Sequence, residues 1–205
     1  MPELPEVEVT RRRIAPLLVG RRIAAIATTR PSYVFVTPPA RLRSVLPGRS
    51  IAALERLGKY LLLRLDDEST LVIHLGMTGQ LFSSRARSPR LLSATARSSL
   101  APEEQAAFEP DGHTHLTLQM EGSGPDVYFR DVRKFGKLLW LGPGKGHPRL
   151  DRLGADALEI EGAGLHAATR KRRTPIKALL LDQAVMAGVG NIYADEALFF
   201  AGVRP

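Results

Sequence analysis

Residues 51–82, IAALERLGKYLLLRLDDESTLVIHLGMTGQLF, decide the fold of this 205-residue chain. They contain four short runs rich in apolar residues, at 51–57, 60–65, 71–75 and 80–82. Glycines and an acidic cluster separate the runs, which is the pattern of strands joined by tight turns. Closely spaced strands of this kind predict a two-layer β-sandwich, because each sheet must bury one apolar face against another layer.

The same pattern continues on both sides of this stretch. Further strands are predicted at residues 22–29, 33–36, 115–120, 127–130 and 137–141. Upstream, apolar residues recur at helical spacing over residues 5–18, and Gly20 is placed to end that helix. Residues 83–112 are rich in Ser, Arg, Ala and Pro, and we interpret them as a long mobile loop with a short helix at 102–108.

The character of the chain changes after a linker rich in Gly and Pro at residues 142–148. Helices are predicted beyond it at residues 163–171, 175–183 and 192–201. The predicted fold class is therefore α+β, with an N-terminal β-sandwich flanked by an N-terminal helix and followed by a helical domain. The predicted domains are residues 1–147, including the linker, and residues 148–205.

Composition narrows the classes of partner. Lys and Arg number 29 against 21 Asp and Glu, and the formal net charge is +8, which favours nucleic acid over an acidic membrane surface. Arginines interrupt the N-terminal segment early and no apolar run reaches about 18 residues, so a cytoplasmic protein without a leader is expected. The sequence contains no cysteine, which excludes a disulfide, a thiol nucleophile and a cysteine zinc site within it.

The chain opens with MPELPEVE, in which loss of Met1 leaves Pro2 as a secondary amine beside Glu3. An α-amino group titrates near roughly 8, against roughly 10.4 for a lysine, so far more of it is neutral at pH 7. A neutral amine attacks electrophilic carbon, and Glu3 lies within reach as a general acid. The alternative is that these residues and Pro5 only begin a helix, since prolines and acids are favoured in a first turn.

Two turns that contain glycine carry further candidates. The segment HLGMTGQ at residues 74–80 places Met77 at the tip of a tight turn, as a probe of a ligand or as a core methionine at a hairpin end. The segment DVRKFG at residues 131–136 combines Arg133 with Phe135, which suits entry into a base stack with contacts to phosphates. A solvated turn with a core phenylalanine is the alternative.

Cationic and glycine-rich segments suggest contacts with anions. Lys59 follows Gly58 at the head of a strand, where it either faces an anion or only aids solubility. The segment GVGNIY at residues 188–193 lets the backbone approach a ligand and lets Asn191 cap a helix whose first N–H groups bind an anion, unless it is an ordinary helix connection. His113 and His115 flank Thr114, and two polar histidines are favoured there over a zinc pair.

Taken together, five segments resemble the bacterial formamidopyrimidine-DNA glycosylase family: PELPEVE at 2–8, GKYL at 58–61, HLGM at 74–77, DVRKFG at 131–136 and GVGNIYA at 188–194. The resemblance implies a base-excision repair enzyme that removes oxidised purines, such as 8-oxoguanine and formamidopyrimidines, from duplex DNA. It also implies an AP lyase that cuts the strand by β,δ-elimination. Leu4 and the methionine turn favour this branch over endonuclease VIII, which prefers oxidised pyrimidines.

The resemblance also implies roles for individual residues. Pro2 is the nucleophile that attacks C1′ of the damaged nucleotide, Glu3 assists ring opening and proton transfer, and Lys59 completes the catalytic group. Insertion into the gap left by a flipped nucleotide falls to Met77, Arg133 and Phe135. Contacts with DNA phosphates fall to His74, Asn191 and Lys59, with Lys177 as a weaker candidate. Glu6 lines the substrate pocket.

Family members usually continue beyond the equivalent of Pro205 with more helices, a loop over the flipped base and a four-cysteine zinc finger. The sequence is therefore expected to be truncated within its helix-two-turn-helix domain, with a natural short form as the alternative, and to bind no metal or other cofactor. The expected partner is damaged double-stranded DNA, bound by a monomer in the nucleoid-associated bacterial cytoplasm, with no membrane contact. A truncated DNA-binding or lesion-sensing protein without catalysis is the alternative.

Overall fold

The computed structural model describes residues 2–89 and 99–205, which divide into two compact units. The first unit extends to Arg56 and then from Tyr60 to Lys145, and the second contains Leu57–Lys59 and Gly146–Pro205. The sequence prediction drew its boundary after residue 147 and gave Leu57–Lys59 to the first domain.

The first unit begins with a long helix and continues mainly as strands. Its helices are α1 (Leu4–Leu18), α2 (Pro39–Val45) and α3 (Pro102–Ala106). Its strands are β1 (Ile23–Thr28), β2 (Ile51–Leu57), β3 (Tyr60–Leu65), β4 (Thr70–His74), β5 (Gln80–Phe82), β6 (Thr114–Met120), β7 (Val127–Arg130) and β8 (Lys137–Leu141).

Two four-stranded sheets form the predicted sandwich. Their strand orders are β1-β6-β7-β5 and β2-β3-β4-β8. Along β3 the side chains of Leu61, Leu63 and Leu65 alternate into the main core, while Arg64 between them is exposed. The same core takes Phe129 from the other sheet and a stripe of α1. The apolar alternation in the sequence therefore specifies which face of each sheet is buried.

The strand predicted at residues 33–36 is wrong. Phe35 forms only an isolated bridge with Leu138, and Tyr33 is exposed. Helix α2 follows, at residues where the sequence prediction contained no helix, and it begins on Pro39. Proline suits this position because a backbone N–H at the start of a helix has no partner within the helix, so its absence costs no hydrogen bond.

The segment after β5 is more ordered in its described parts than the predicted loop. The short helix expected at 102–108 is confirmed as α3. Before it, Ser88 is buried and its N–H donates to Oε1 of the buried Gln105 at 2.8 Å. Gln80 holds both ends of the segment, because its amide donates to Ser88 Oγ at 3.1 Å and accepts from the Leu100 N–H at 2.8 Å. The rest of the predicted loop, residues 90–98, lies outside the described residues.

The second unit is mainly helical. It contains α4 (Pro148–Asp151), α5 (Gly162–Thr169), α6 (Ile176–Leu181) and α7 (Asn191–Phe200), with a two-stranded parallel sheet of β9 (Ala155–Asp156) and β10 (Met186–Ala187). The three helices predicted from apolar spacing are confirmed as α5, α6 and α7. Their core is small and contains Leu180, Met186, Ala194 and Leu198. Strands of two residues carry no periodicity, so the sequence could not indicate β9 and β10.

Candidate active site

The head of α1 carries the proposed nucleophile and its acid. Glu3 is the N-cap residue, and its backbone N–H donates to Oε2 of Glu6 at 2.9 Å. Pro2 is buried, and Glu3 is only 1% exposed. The helix entry that was the alternative interpretation is therefore present, but it also buries an acid beside Pro2, which capping alone does not require.

A small cleft opens beside Pro2. One wall is the face of α1 that carries Glu6 and Thr10, and the opposite side comes from the turn after β4 and from the segment after β5. The lining residues are Pro2, Glu6, Thr10, Leu75, Gly79, Gln80, Ser88 and Pro89. The structure thus brings together Pro2 and Glu6, two of the residues that the sequence analysis assigned to the site.

Glu8 fixes α1 against the sheet that contains β2. Its carboxylate accepts hydrogen bonds from Arg11 and Arg12 at 2.7 Å and from Arg56, in β2, at 3.0 Å. The Arg11 hydrogen bond is the main reason why the pKa of Glu8 falls to about 2, and Arg12 and Arg56 add to it although burial opposes the shift. The sequence analysis missed this residue, which holds the helix that presents Pro2.

The turn after β4 presents Met77. The His74 ring accepts a hydrogen bond at Nδ1 from the Gly76 N–H at 3.2 Å and lies against Tyr60. Gly76 has φ +67°, a left-handed conformation that side chains rarely adopt. Met77 is partly exposed, whereas Leu75 and Thr78 around it are buried. The methionine is therefore not a member of the main core.

The turn before β8 presents Arg133 and Phe135. Phe135 is 48% exposed, so the alternative of a core phenylalanine is wrong. The guanidinium carbon of Arg133 lies 5.0 Å from the centre of the Phe135 ring, within the range of a cation–π contact. Lys134 between them has φ +59°, which turns the chain so that these two side chains meet.

Asp131 joins these two turns. Its Oδ1 accepts from the Thr78 hydroxyl at 2.5 Å, and its Oδ2 accepts from the Gly136 N–H at 2.7 Å. Asp131 is fully buried, so both of these hydrogen bonds are shielded from solvent. The sequence analysis quoted this aspartate in its motif without a role, because nothing local reveals a partner 53 residues away.

His115 supports the turn that carries Arg133, through a contact with the backbone of Asp131. Its Nε2 lies 2.9 Å from the Asp131 carbonyl oxygen, and its Nδ1 lies 2.9 Å from Thr29 Oγ1. A carbonyl can only accept, so Nε2 carries the proton and Nδ1 accepts from the Thr29 hydroxyl. Burial lowers the pKa of this histidine and favours the neutral ring. Both ring nitrogens of His115 thus have protein partners.

The second unit holds the other assigned residues. Gly190, not Asn191, is the N-cap of α7, so the predicted capping role of Asn191 is wrong and its side chain is exposed. Lys177 pairs with Asp195 at 2.6 Å. Lys59 is only 8% exposed, which excludes the alternative of a strand-end solubilising lysine.

Family models match both units of the chain. The formamidopyrimidine-DNA glycosylase N-terminal domain matches residues 1–138, and the H2TH domain of the same enzymes matches residues 153–205. The formamidopyrimidine-DNA glycosylase of Geobacter sulfurreducens is 43% identical over all of this chain and 68% of its own length. The chain belongs to the formamidopyrimidine-DNA glycosylase family. As a member of this family it is a DNA glycosylase of base-excision repair.

Other members of the family agree with this assignment. The formamidopyrimidine-DNA glycosylase of Methylococcus capsulatus is also 43% identical, again over all of this chain and 68% of the relative. The Lactococcus lactis Fpg in complex with DNA containing an abasic site matches with a TM-score of 0.79 and 30% identity. That match covers the whole of this chain and 68% of the neighbour. The expected α+β fold is confirmed by these matches.

The four-cysteine zinc site that the resemblance implies for the family does not fit the residues of this chain. The sequence contains no cysteine. Within residues 2–89 and 99–205, no three His, Asp or Glu side chains cluster in a way that could hold a metal ion. In the same described part of the chain, no helix is both long and apolar enough to span a membrane.

Proposed function

We propose that this family member removes oxidised purines from duplex DNA and then cuts the strand as an AP lyase, with Pro2 as the nucleophile. The observation that carries the proposal is the burial of Pro2 and Glu3 at the head of α1, beside a cleft that Glu6 lines. The Glu3 backbone N–H donates to Oε2 of Glu6 at 2.9 Å, so the helix start holds both acidic residues beside Pro2.

The chemistry follows from an amine that is partly neutral at pH 7. The Pro2 nitrogen forms a bond to C1′, and the bond from C1′ to the base breaks with its electron pair leaving on the base, which takes up a proton. Glu3 gives a proton to the sugar ring oxygen as the ring opens, which leaves an iminium between Pro2 and C1′. The iminium acidifies the C2′–H bond, so the 3′ phosphate and then the 5′ phosphate leave by successive eliminations. Water then releases Pro2.

Base removal at C1′ requires the damaged nucleotide to leave the stack, at a cost of a few kcal/mol. Met77, Arg133 and Phe135 have the exposure and the chemistry to fill the gap: an apolar tip, a cation with hydrogen-bond donors and a flat ring. The shared anchoring of their two turns by Asp131 supports a joint role. The proposed partner is therefore damaged double-stranded DNA.

Four residues are proposed to contact phosphates near the flipped nucleotide. His74 already uses Nδ1 for the Gly76 N–H. Lys177 would have to exchange its ion pair with Asp195 for a phosphate oxygen. Lys59 is proposed both as a catalytic residue and as a phosphate contact. The exposed side-chain amide of Asn191 can donate a hydrogen bond to a phosphate oxygen.

The preference for purines is proposed from Leu4 and the methionine turn. Lactococcus lactis Fpg has been solved in complex with a formamidopyrimidine lesion, as a mutant, and with DNA that contains an oxidised pyrimidine. A comparison of substrates must therefore include 8-oxoguanine, a formamidopyrimidine and an oxidised pyrimidine in otherwise identical duplexes. Faster excision of the pyrimidine lesion would contradict the purine preference.

Borohydride trapping tests the nucleophile. Protein without Met1 is incubated with duplex DNA that contains 8-oxoguanine or an abasic site, and reduction fixes the imine as a covalent adduct. We expect an adduct that maps to Pro2 and disappears in Pro2→Gly. Pro5→Gly is the matched control, because it changes the same helical turn and leaves the terminal amine in place. Absence of an adduct with both DNAs would overturn the enzyme proposal, and a DNA-binding protein without turnover would then be favoured.

A further inference from the structure

The segment after β5 folds back into a tight turn with arginines on its surface. The backbones of Ser83 and Ala86 exchange hydrogen bonds of 2.8 and 3.2 Å. Ala86 is buried, whereas Arg85 and Arg87 on either side of it are exposed. The turn therefore has an apolar anchor and presents two guanidinium groups outward.

Buried side chains fix the position of this turn. Ser88 follows Arg87 directly and is held by Gln80 and Gln105, each of which is at most 2% exposed. On the other side, Arg13 of α1 donates from a terminal guanidinium nitrogen to the Arg87 carbonyl oxygen at 3.0 Å. Because the backbone is anchored at both points, this part of the chain loses less conformational entropy when the turn binds a ligand.

Three arginines line one groove at this place. It has a volume of about 580 Å³ and is lined by Arg13, Ser84, Arg85, Ala86, Arg87 and Pro102. Across residues 2–89 and 99–205, no carboxylate lies within ion-pair distance of any of the three arginines, although Arg11, Arg12 and Arg56 all share Glu8. The groove thus concentrates positive charge that the described residues leave uncompensated.

The groove adjoins the cleft beside Pro2. Thr10 lines the cleft and Arg13 lines the groove, one turn apart on the same face of α1. Opposite them, Arg87 belongs to the groove and the next residue, Ser88, to the cleft. The arginines of the groove therefore lie next to the residues that line the cleft, along the same face of α1.

We propose that Arg13, Arg85 and Arg87 form a phosphate-binding site for the DNA strand that carries the nucleotide at Pro2. A guanidinium matches phosphate because its planar fork donates two parallel hydrogen bonds to two oxygens. This assignment rests on the proposed function, since it takes the reacting strand to lie at Pro2. Free inorganic phosphate offers the same chemistry, and the experiment separates the two sources.

The salt dependence of DNA binding tests the site. The affinity of Arg85→Ala/Arg87→Ala for a duplex with a reduced abasic analogue is measured by fluorescence anisotropy at several salt concentrations. Each lost phosphate contact lowers the slope of log K against log salt by about 0.9, so a decrease approaching 2 is expected. Arg49→Ala/Arg64→Ala is the matched control: it removes the same charge from arginines that pair with acids, and its slope should stay near that of wild type.

Equal slopes for the two double variants would overturn the proposal. As a second experiment, inorganic phosphate is titrated into wild-type protein and into Arg85→Ala/Arg87→Ala. If it binds wild type but not Arg85→Ala/Arg87→Ala while the DNA slopes stay equal, the groove binds free anions and not DNA. Borohydride trapping with wild-type protein runs in parallel. An adduct with unchanged slopes rejects only the groove, whereas a reduced slope without any adduct rejects only the proposed chemistry.

Discussion

The Thr78 hydroxyl donates to Oδ1 of Asp131, across 53 residues of sequence. The other oxygen of that carboxylate holds the Gly136 N–H, so one buried group connects the Met77 turn with the Arg133 turn. Under the proposed function, Met77, Arg133 and Phe135 enter the same gap in DNA and need fixed relative positions. We therefore propose Asp131 as a positioning residue for insertion, acting through the two turns.

Replacement of Asp131 by Asn should weaken this connection. The amide can accept from only one of the two donors, and its NH2 group then faces the other, so a buried donor is left unpaired at about 1–3 kcal/mol. We expect excision of 8-oxoguanine in single-turnover assays to slow by about tenfold or more. Trapping at a preformed abasic site should fall much less, because no base remains to be expelled.

Asp111→Asn is the control for that experiment. Asp111 also accepts hydrogen bonds from a threonine hydroxyl and a backbone N–H and pairs with Arg130, but it lies outside the two turns. Both variants should melt at a lower temperature than wild type. Equal loss of excision in the two would mean that Asp131 acts only through stability.

Gly76→Ala should separate the two turns. The added Cβ would lie 2.4 Å from the Gly136 nitrogen and 2.5 Å from the Phe135 carbonyl carbon, and φ is +67°. The left-handed conformation alone costs about 1–2 kcal/mol, and the overlap adds about 1–3 kcal/mol to the loss of unfolding free energy. Denaturant unfolding of the variant measures the sum.

Gly20→Ala isolates the conformational part of that cost. Its φ is +79°, and a Cβ there would meet nothing within 4 Å. Gly20→Ala should therefore be destabilised clearly less than Gly76→Ala and should retain excision. If the two variants lose the same free energy, the turns yield easily and their close packing contributes little.

The sequence predicts the sandwich well because local signals agree there. β2, β3, β5, β7 and β8 match their predicted bounds, since apolar runs end at glycines or polar clusters. The signal fails at residues 33–36, where apolar composition favours a strand but Pro38 and Pro39 begin a helix. At Asn191 the residue type is suited to a cap, yet Gly190 takes that position.

The candidate site divides in the same way. Motifs supplied Pro2, Glu6, Met77, Arg133 and Phe135, and their proposed roles stay predictions. Motifs could not supply the connections among these residues. The hydrogen bonds that Arg56 donates to Glu8 and Thr78 donates to Asp131 join segments 48 and 53 residues apart, and such pairings depend on the register of the folded sheets.

The lowered pKa of Glu8 predicts that the folded protein loses stability in acid. The Arg11 hydrogen bond lowers its pKa from 4.5 to about 2 in the folded protein, so the unfolded chain takes up the proton first as pH falls. The contribution is present above about pH 4.5 and is lost as pH falls through about 2, with an upper bound of about 3 kcal/mol. Urea unfolding of wild type and Glu8→Gln at pH 6 and pH 3 measures it.

The variant Glu8→Gln should be less stable than wild type at pH 6, and this difference should narrow at pH 3. Glu55→Gln is the control, because Glu55 pairs with Arg64 on the surface, where both side chains are well exposed. Surface pairs contribute about 0–1 kcal/mol, so this variant should stay near wild type at both values. A Glu8→Gln difference that is the same at pH 6 and pH 3 would contradict the assignment.

The burial of His115 predicts a second loss of stability in acid, which begins at a higher pH than the loss from Glu8. Burial lowers its pKa below 6.5, with smaller contributions from Lys134 and His113, while Asp131 opposes the shift. The unfolded chain therefore binds a proton before the folded protein does, and stability falls as pH falls through about 6.5 and below. A pH titration followed by nitrogen NMR should show the neutral ring with its proton on Nε2, bonded to the Asp131 carbonyl, and a protonation midpoint below that of a histidine in the urea-unfolded protein. A proton on Nδ1, or a midpoint at or above the unfolded one, would contradict this account, and excision should decline together with protonation because His115 supports the Arg133 turn.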